Sequence, residues 1–379
     1  MAGCDRQTRR TDVDTIDQMV VPPPQGWDTS ESSDWRWVRW GAPAFVVVLM
    51  LLGSMQVSLP YYALAPGDAR QVNDLISVPK DRAFPPRGKV LLSTVSLSRV
   101  NALQAFFGWL DSDVDVLPED QILGKTPRKE FTQQNIQEMD TSKQLAAVVA
   151  LRRLGYEVAE QGKGARVVQV EKEASAAGRL IQGDVITGID GRPASLSQEV
   201  VRAIRLHKPG ESVRLDVLGA KGGTRVEEIV LGHRPDGVEG YLGVVLDTKE
   251  QKFDYPFDVV IDSGTIGGPS AGLAFTLGVL DTLTAGELTG GKSVAATGTI
   301  EIDGHVGDVG GVVQKTAAVR AAGASVFLVP PGEYEDARSH AGSKLRVIKV
   351  TSLDDAIAAL AGLGGDVSAL GVAPAGTPG

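Results

Sequence analysis

Residues 267–272 read Gly-Gly-Pro-Ser-Ala-Gly and set one serine, Ser270, at the opening of an apolar run with helical period. Proline suits the first turn of a helix, and Leu273, Leu277, Leu280 and Leu283 fall on one face. Flanking glycines let another backbone come close, while the positive end of the helix dipole and its N–H groups can stabilise an oxyanion. A serine so placed attacks a carbonyl only after a base has taken its proton. The four histidines, His207, His233, His305 and His340, stand in no context suited to that task; His305 reads as the tip of a hairpin. A lysine can serve if desolvation lowers its pKa towards neutrality. Lys315 is the candidate, because it follows the glycine-rich 307–311 and shares a helix with Ala317, Ala318, Val319, Ala321 and Ala322. A lysine on an alanine-rich helix is more often a solvated charge, and composition alone leaves both readings open. Asp262 and Asp308 lie near enough in sequence to tune such an amine, Asp308 equally well as a turn residue.

The elements that must position these groups alternate between strand and helix beyond Gly240. Residues 257–261, 294–300, 326–329 and 346–350 are strand-like, and helices start near Pro269, Gly311 and Ser352. That alternation predicts an α/β fold. Within it, residues 286–293 (Gly-Glu-Leu-Thr-Gly-Gly-Lys-Ser) fit the G-x-x-x-x-G-K-[ST] phosphate-loop pattern. Such a loop follows a strand and opens a helix, whereas here a helix precedes and a strand follows, so it reads as a plain connection.

Residues 161–236 differ in character, with short strands around one helix near 197–206. The run 177–193, Ala-Gly-Arg-Leu-Ile-Gln-Gly-Asp-Val-Ile-Thr-Gly-Ile-Asp-Gly-Arg-Pro, resembles the centre of a PDZ domain of the bacterial protease type. The resemblance puts a tight turn at Gly183-Asp184 and a hairpin turn at Asp190-Gly191, and implies a groove that adds a peptide to a sheet edge. No GLGF-like carboxylate loop precedes Val167, so the sequence leaves the type of ligand open.

Four ordered motifs carry a second resemblance: 266–272 (Ile-Gly-Gly-Pro-Ser-Ala-Gly), 297–304 (Thr-Gly-Thr-Ile-Glu-Ile-Asp-Gly), 309–315 (Val-Gly-Gly-Val-Val-Gln-Lys) and 321–324 followed by 327–330. Over about 125 residues the chain resembles the proteolytic domain of Lon-type serine peptidases. With the PDZ-like part and the apolar segment described next, everything after about residue 41 looks like the membrane-anchored, PDZ-containing Lon-like proteases of bacteria. The resemblance implies that Ser270 is the nucleophile, Lys315 the general base, and Thr297 a hydroxyl that helps orient the lysine amine. It implies a serine endopeptidase and suggests a ring of identical copies; the family's best-known members carry an ATPase module that is not assigned in this sequence, so the enzyme is expected to work without ATP on flexible or unfolded polypeptides. The alternative is a tethered peptide-binding scaffold with an idle protease domain; the presence of both Ser270 and Lys315 speaks against it.

Between Arg39 and Asp68 no residue is charged, and 42–59 read Ala-Pro-Ala-Phe-Val-Val-Val-Leu-Met-Leu-Leu-Gly-Ser-Met-Gln-Val-Ser-Leu. That length predicts a transmembrane helix, with Trp35, Trp37 and Trp40 at one headgroup level and Tyr61 and Tyr62 at the other. An Ala-x-Ala site at 63–65 makes a cleaved signal the rival, but the preceding 40 residues carry seven acids beside five arginines, a poor signal n-region. The long following part would translocate largely regardless of charge, so the N-terminus is expected in the cytoplasm and the rest outside it.

The expected fold is an α/β Lon-type proteolytic domain plus a small β-rich PDZ-like domain, with one N-terminal transmembrane helix. Its parts are a cytoplasmic tail (1–40), the span (41–63), a membrane-proximal α+β module without chemistry (64–160), the PDZ-like domain (161–236), the proteolytic domain (237–365) and a tail (366–379). Both tails read as disordered from their Pro, Gly and acidic content. A net charge of −9 and the lack of any basic stripe argue against nucleic acid as a partner. Cys4 is the single cysteine, which excludes an internal disulfide, and no Cys/His cluster has metal-ligand spacing. No cofactor is expected; polypeptide substrates and the membrane are the partners.

Overall fold

The computed structural model describes residues 43–49, 53, 57–233 and 237–370. Two compact units divide the chain, Met1–Val57 and Ser58–Gly379.

The second unit is built on a six-stranded sheet. Its order is Arg346–Lys349, Val326–Val329, Ser293–Ala296, Lys89–Asn101, Ser58–Gln71 and Asp115–Pro118. The first four strands run parallel, and the last two add antiparallel. The parallel strands read as continuous apolar runs, as strands covered on both faces must; all four residues of Val326–Val329 are buried. Lys89–Leu92 pairs residue for residue with Ser293–Ala296, about 200 positions downstream. Residues 64–160 are therefore no separate module: they supply three strands of the sheet that the sequence divides between two domains. Helix Arg128–Arg153 adds to this, because Met139, Ala146, Val149 and Ala150 join the core of Leu273, Phe275 and Leu277. Helix Gly272–Leu283 is mostly apolar, and all of it but Leu283 is buried, Asp281 included, as suits a helix enclosed by neighbours.

The chain leaves this fold and returns through a narrow neck, the antiparallel pair Ala159–Gln161 and Lys252–Asp254. Between them lies a six-stranded antiparallel sheet: five strands in the order Thr224–Val230, Ser212–Leu218, Val185–Ile189, Ala165–Val170 and Val244–Thr248, with the short Arg192–Pro193 also paired to Val185–Ile189. Its core is its own, centred on Val167, Ile186, Val213, Leu215 and Ile204 of helix Ser197–Arg205. Asp190 (φ 50°) and Gly191 (φ 74°) both adopt the left-handed turn expected of them. Asp184 is buried, accepts from Ile181 and Ala220 N–H groups, and pairs with Arg225. The closing strand Val244–Thr248 lies beyond the expected boundary at 236, because Ala165–Val170 needs it as a partner.

The N-terminal expectations fall partly outside the described residues. Of the expected span 41–63, residues 43–49 are helical, and 41, 42, 50–52 and 54–56 are among those not described, as are 1–40. From Ser58 onward the chain is strand, which corrects the end of the span. Tyr62, expected at a headgroup level, is 2% exposed inside the sheet, pairing with Arg99 and Leu117. No helix among the described residues is long and apolar enough to cross a membrane. At the other end Val367 and Leu370 are buried in the main core, so folded chain runs past the expected limit at 365; residues 371–379 lie outside the described residues.

Candidate functional site

Ser270 sits in a short 3-10 turn, Pro269–Ala271, that opens into helix Gly272–Leu283. Two separate parts of the chain fix this turn. Gly268 enters at φ 88° and ψ 153°, a backbone state open essentially to glycine, and its N–H donates to the Asn135 carbonyl at 2.8 Å. The Ser142 hydroxyl donates to the Pro269 carbonyl at 3.0 Å. The Ser270 carbonyl accepts from Gly298 N–H at 3.0 Å and from the Thr297 hydroxyl at 3.2 Å. Asn135 and Ser142 belong to helix Arg128–Arg153. Ser142 lies on its buried stripe with Met139, Ala146 and Val149, where a polar residue among apolar ones was the available signal.

Thr297 is buried, and its hydroxyl proton goes to the backbone of Ser270. Its observed contact is thus with the Ser270 turn, whereas the resemblance gave it the lysine amine.

Lys315 rises from helix Val312–Ala321, whose cap, Gly311, is left-handed (φ 69°). A Cβ at Gly311 would come 2.8 Å from Val95 Cγ1, so glycine lets this helix approach the strand carrying Val95. Lys315 is 2% exposed, which decides between the two readings the sequence left open. Among the described residues no side chain forms a hydrogen bond or ion pair with its amine. Burial pushes the amine down to about 8, opposed by the negative charge of Glu333.

The acid facing Lys315 is Glu333, and neither aspartate proposed from the sequence takes that place. Its Oε1 accepts from Val309 N–H at 2.7 Å, and burial with the neighbouring Asp308 raises its carboxyl above the usual range. Asp262 caps its own turn through Gly264 N–H. Glu333 escaped sequence reasoning because it stands 18 positions from Lys315 in a polar stretch; the two prolines before it, which turn the chain back, were the one hint.

Ser270 and Lys315 line one cavity of about 240 Å³ together with Leu92, Ser93, Val95, Met139 and Ile266. Ser93 Oγ is buried with no hydrogen-bond partner. None of the histidines borders this cavity: His207 bonds to Asp190 and Glu211, and His305 is exposed on the hairpin of Thr299–Ile300 and Val306–Gly307. The 286–293 loop joins a helix to a strand, and Lys292 Nζ donates to the Leu363 carbonyl at a helix end. Its lysine is occupied with capping, and Glu287 occupies the loop by accepting from Gly88 N–H and the Thr289 hydroxyl.

A second concavity, about 550 Å³, lies between helix Ser197–Arg205 and strand Val244–Thr248. Val201, Ile204, Leu242 and Val244 line it, and residues 240–243 (Gly-Tyr-Leu-Gly) close one end. The strand stands at the edge of its sheet. A glycine-flanked apolar loop was sought before Val167, whereas the fold carries it near the end of this unit.

Comparison with known proteins finds two family models along the chain. Residues 152–226 match the family model of the PDZ domain, and residues 248–361 that of the Lon protease (S16) C-terminal proteolytic domain. Lon protease 1 of Myxococcus xanthus is 30% identical over 109 residues, which are 27% of this chain and 13% of that protein. Among solved structures, the PDZ domain of an SdrC-like protein from Listeria innocua is 31% identical and covers 22% of this chain and 92% of its own, with a TM-score of 0.21. Its counterpart from Listeria monocytogenes is 30% identical, covering 22% and 87%, with the same TM-score of 0.21. The chain thus carries a PDZ domain and a Lon-type proteolytic domain.

Proposed function

We propose that this chain is a serine endopeptidase that hydrolyses peptide bonds with Ser270 as nucleophile and Lys315 as general base. The observation that carries the reading is the meeting of a hydroxyl at a glycine-rich turn with a buried, unpaired amine at one cavity. An amine held near 8 is neutral in a useful fraction of molecules near neutral pH. It takes the Ser270 proton as Oγ attacks the carbonyl carbon, and the oxyanion that forms is met by the Ser270 N–H at the start of the turn. The lysine then returns the proton to the departing amine. Water, deprotonated by the same lysine, hydrolyses the acyl-enzyme and restores both groups. Thr297, Ser142 and Asn135 hold the turn in place. An idle scaffold would have no use for an ammonium that resists burial.

In this reading the proteolytic unit comprises 58–158 together with 255–370, and the PDZ unit is inserted between them. The PDZ groove takes a polypeptide as an added strand on Val244–Thr248, with the loop 240–243 at its end. Substrates are flexible or unfolded chains, since the 286–293 loop is closed to nucleotide and offers no ATP-driven unfolding step. The apolar segment 42–57 anchors the protein in a membrane, with the folded part outside the cytoplasm; its hydropathy supports this.

The test is a fluorophosphonate probe followed by peptide mapping. The adduct is expected on Ser270, with cleavage of an unstructured protein such as casein lost in Ser270→Ala and in Lys315→Ala. Casein cleavage that survives Ser270→Ala would overturn the assignment.

A further inference from the structure

Helix Ala102–Leu110 is built inside out. A capping box starts it, with Gln104 N–H donating to Asn101 Oδ1 at 2.9 Å and Asn101 N–H to Gln104 Oε1 at 3.0 Å. Its small residues face the protein: Ala105 is buried with Ala63 and Val100, and a Cβ on Gly108 would lie 2.7 Å from Val116 Cγ2. Its large apolar residues face away, Phe106 at 54% exposure, Phe107 at 59%, Trp109 at 64% and Leu110 at 70%. Leu103, Phe106, Phe107 and Leu110 follow the i, i+3, i+4, i+7 spacing that normally turns a helix face into a core. Such a contiguous apolar face is what a lipid or protein interaction site looks like.

Its position identifies the occupant. Strand Ser58–Gln71 pairs with Lys89–Asn101 so that Ser58 stands opposite Asn101, the cap of this helix. Paired strand residues are about 5 Å apart, so the helix begins beside the point where the apolar segment 42–57 joins the fold. Phe, Trp and Leu on one face of a short helix suit the headgroup and acyl boundary. We infer that helix Ala102–Leu110 docks on the surface of the membrane in which the preceding segment is anchored. This rests on the anchor reading above.

Docking sets the height of the catalytic cavity. Thr94 lines the cavity, and the seven residues from it to Asn101 span roughly 20 Å of strand. Ser270, which lines the same cavity, is then held within roughly the same reach of the lipid surface.

The test uses the full chain with Cys4→Ser, one new cysteine at a time labelled with a nitrobenzoxadiazole dye, in phosphatidylcholine and phosphatidylglycerol vesicles containing doxyl-labelled lipid. The labelled sites are Val48→Cys, Leu110→Cys and, as a control on the PDZ unit, the exposed Ile181→Cys. Retained acylation of Ser270 reports that each variant is folded. Quenching at 48 and 110 but not at 181 is the expected result. Quenching at 48 alone leaves the anchor intact and overturns the docking. Quenching at neither overturns both. A label at 110 shielded from water by energy-transferring neighbours, without lipid quenching, assigns the face to a second copy and overturns the docking.

Discussion

Lys315 costs the fold stability for as long as it is charged. The fall of its amine from 10.5 to about 8 corresponds to about 3 kcal/mol of penalty on the protonated form. The sign follows from proton binding: between those two values the unfolded chain holds the proton and the folded one does not, so stability rises with pH across that window and the full penalty stands below it. Lys315→Met should therefore raise the urea midpoint at pH 7, by an amount equivalent to about 1–3 kcal/mol, while abolishing cleavage. The same amine sets activity: kcat/KM should climb with pH to a plateau above about 8. Glu333 favours the charged amine, so Glu333→Gln should move that limb to lower pH; an unmoved limb would show that Glu333 does not act on the base. Ser270 and Lys315 were legible because glycines and small residues surround both in contiguous motifs. Glu333 was not, since only the return of the chain through Pro330 and Pro331 brings its charge to bear on the amine.

The elements explain why the turn stays in place. Helix Arg128–Arg153 and residues 297–298, just past strand Ser293–Ala296, make hydrogen bonds with its backbone. Ser142→Ala removes the donor to the half-buried Pro269 carbonyl, and should cost about 1 kcal/mol in chemical denaturation. If the bond positions the nucleophile, kcat should fall while KM changes little; a rise in KM at constant kcat would make Ser142 a substrate contact instead. Leu145, Val148, Val149 and Leu154 fall at helical spacing, yet nothing local names what that face packs against. The same holds for Lys89–Leu92, an apolar run whose parallel partner lies far downstream. A strand's partner is a long-range fact, and that is why the segment looked like a module with no chemistry.

At the scale of the molecule, a PDZ unit is inserted into a proteolytic fold through two paired strands. Gln161 stands opposite Lys252, so a two-residue Asn-Gly turn could join them directly and leave the rest of the sheet untouched. A chain with residues 162–251 so replaced should fold, take the acylating probe at Ser270, and cleave short peptides, because the two cores are separate. Its cleavage of casein should drop if the groove presents substrates. An excised chain that unfolds would show that the PDZ unit supports the proteolytic fold.

The central claim is that Lys315 deprotonates Ser270, and the pH dependence of Ser270 acylation by a fluorophosphonate probe tests it most directly. The predicted result is a single adduct on Ser270, with a rate that rises through about pH 8 and collapses in Lys315→Met. Acylation of Ser270 at an undiminished rate in Lys315→Met, with the same pH profile, would contradict it.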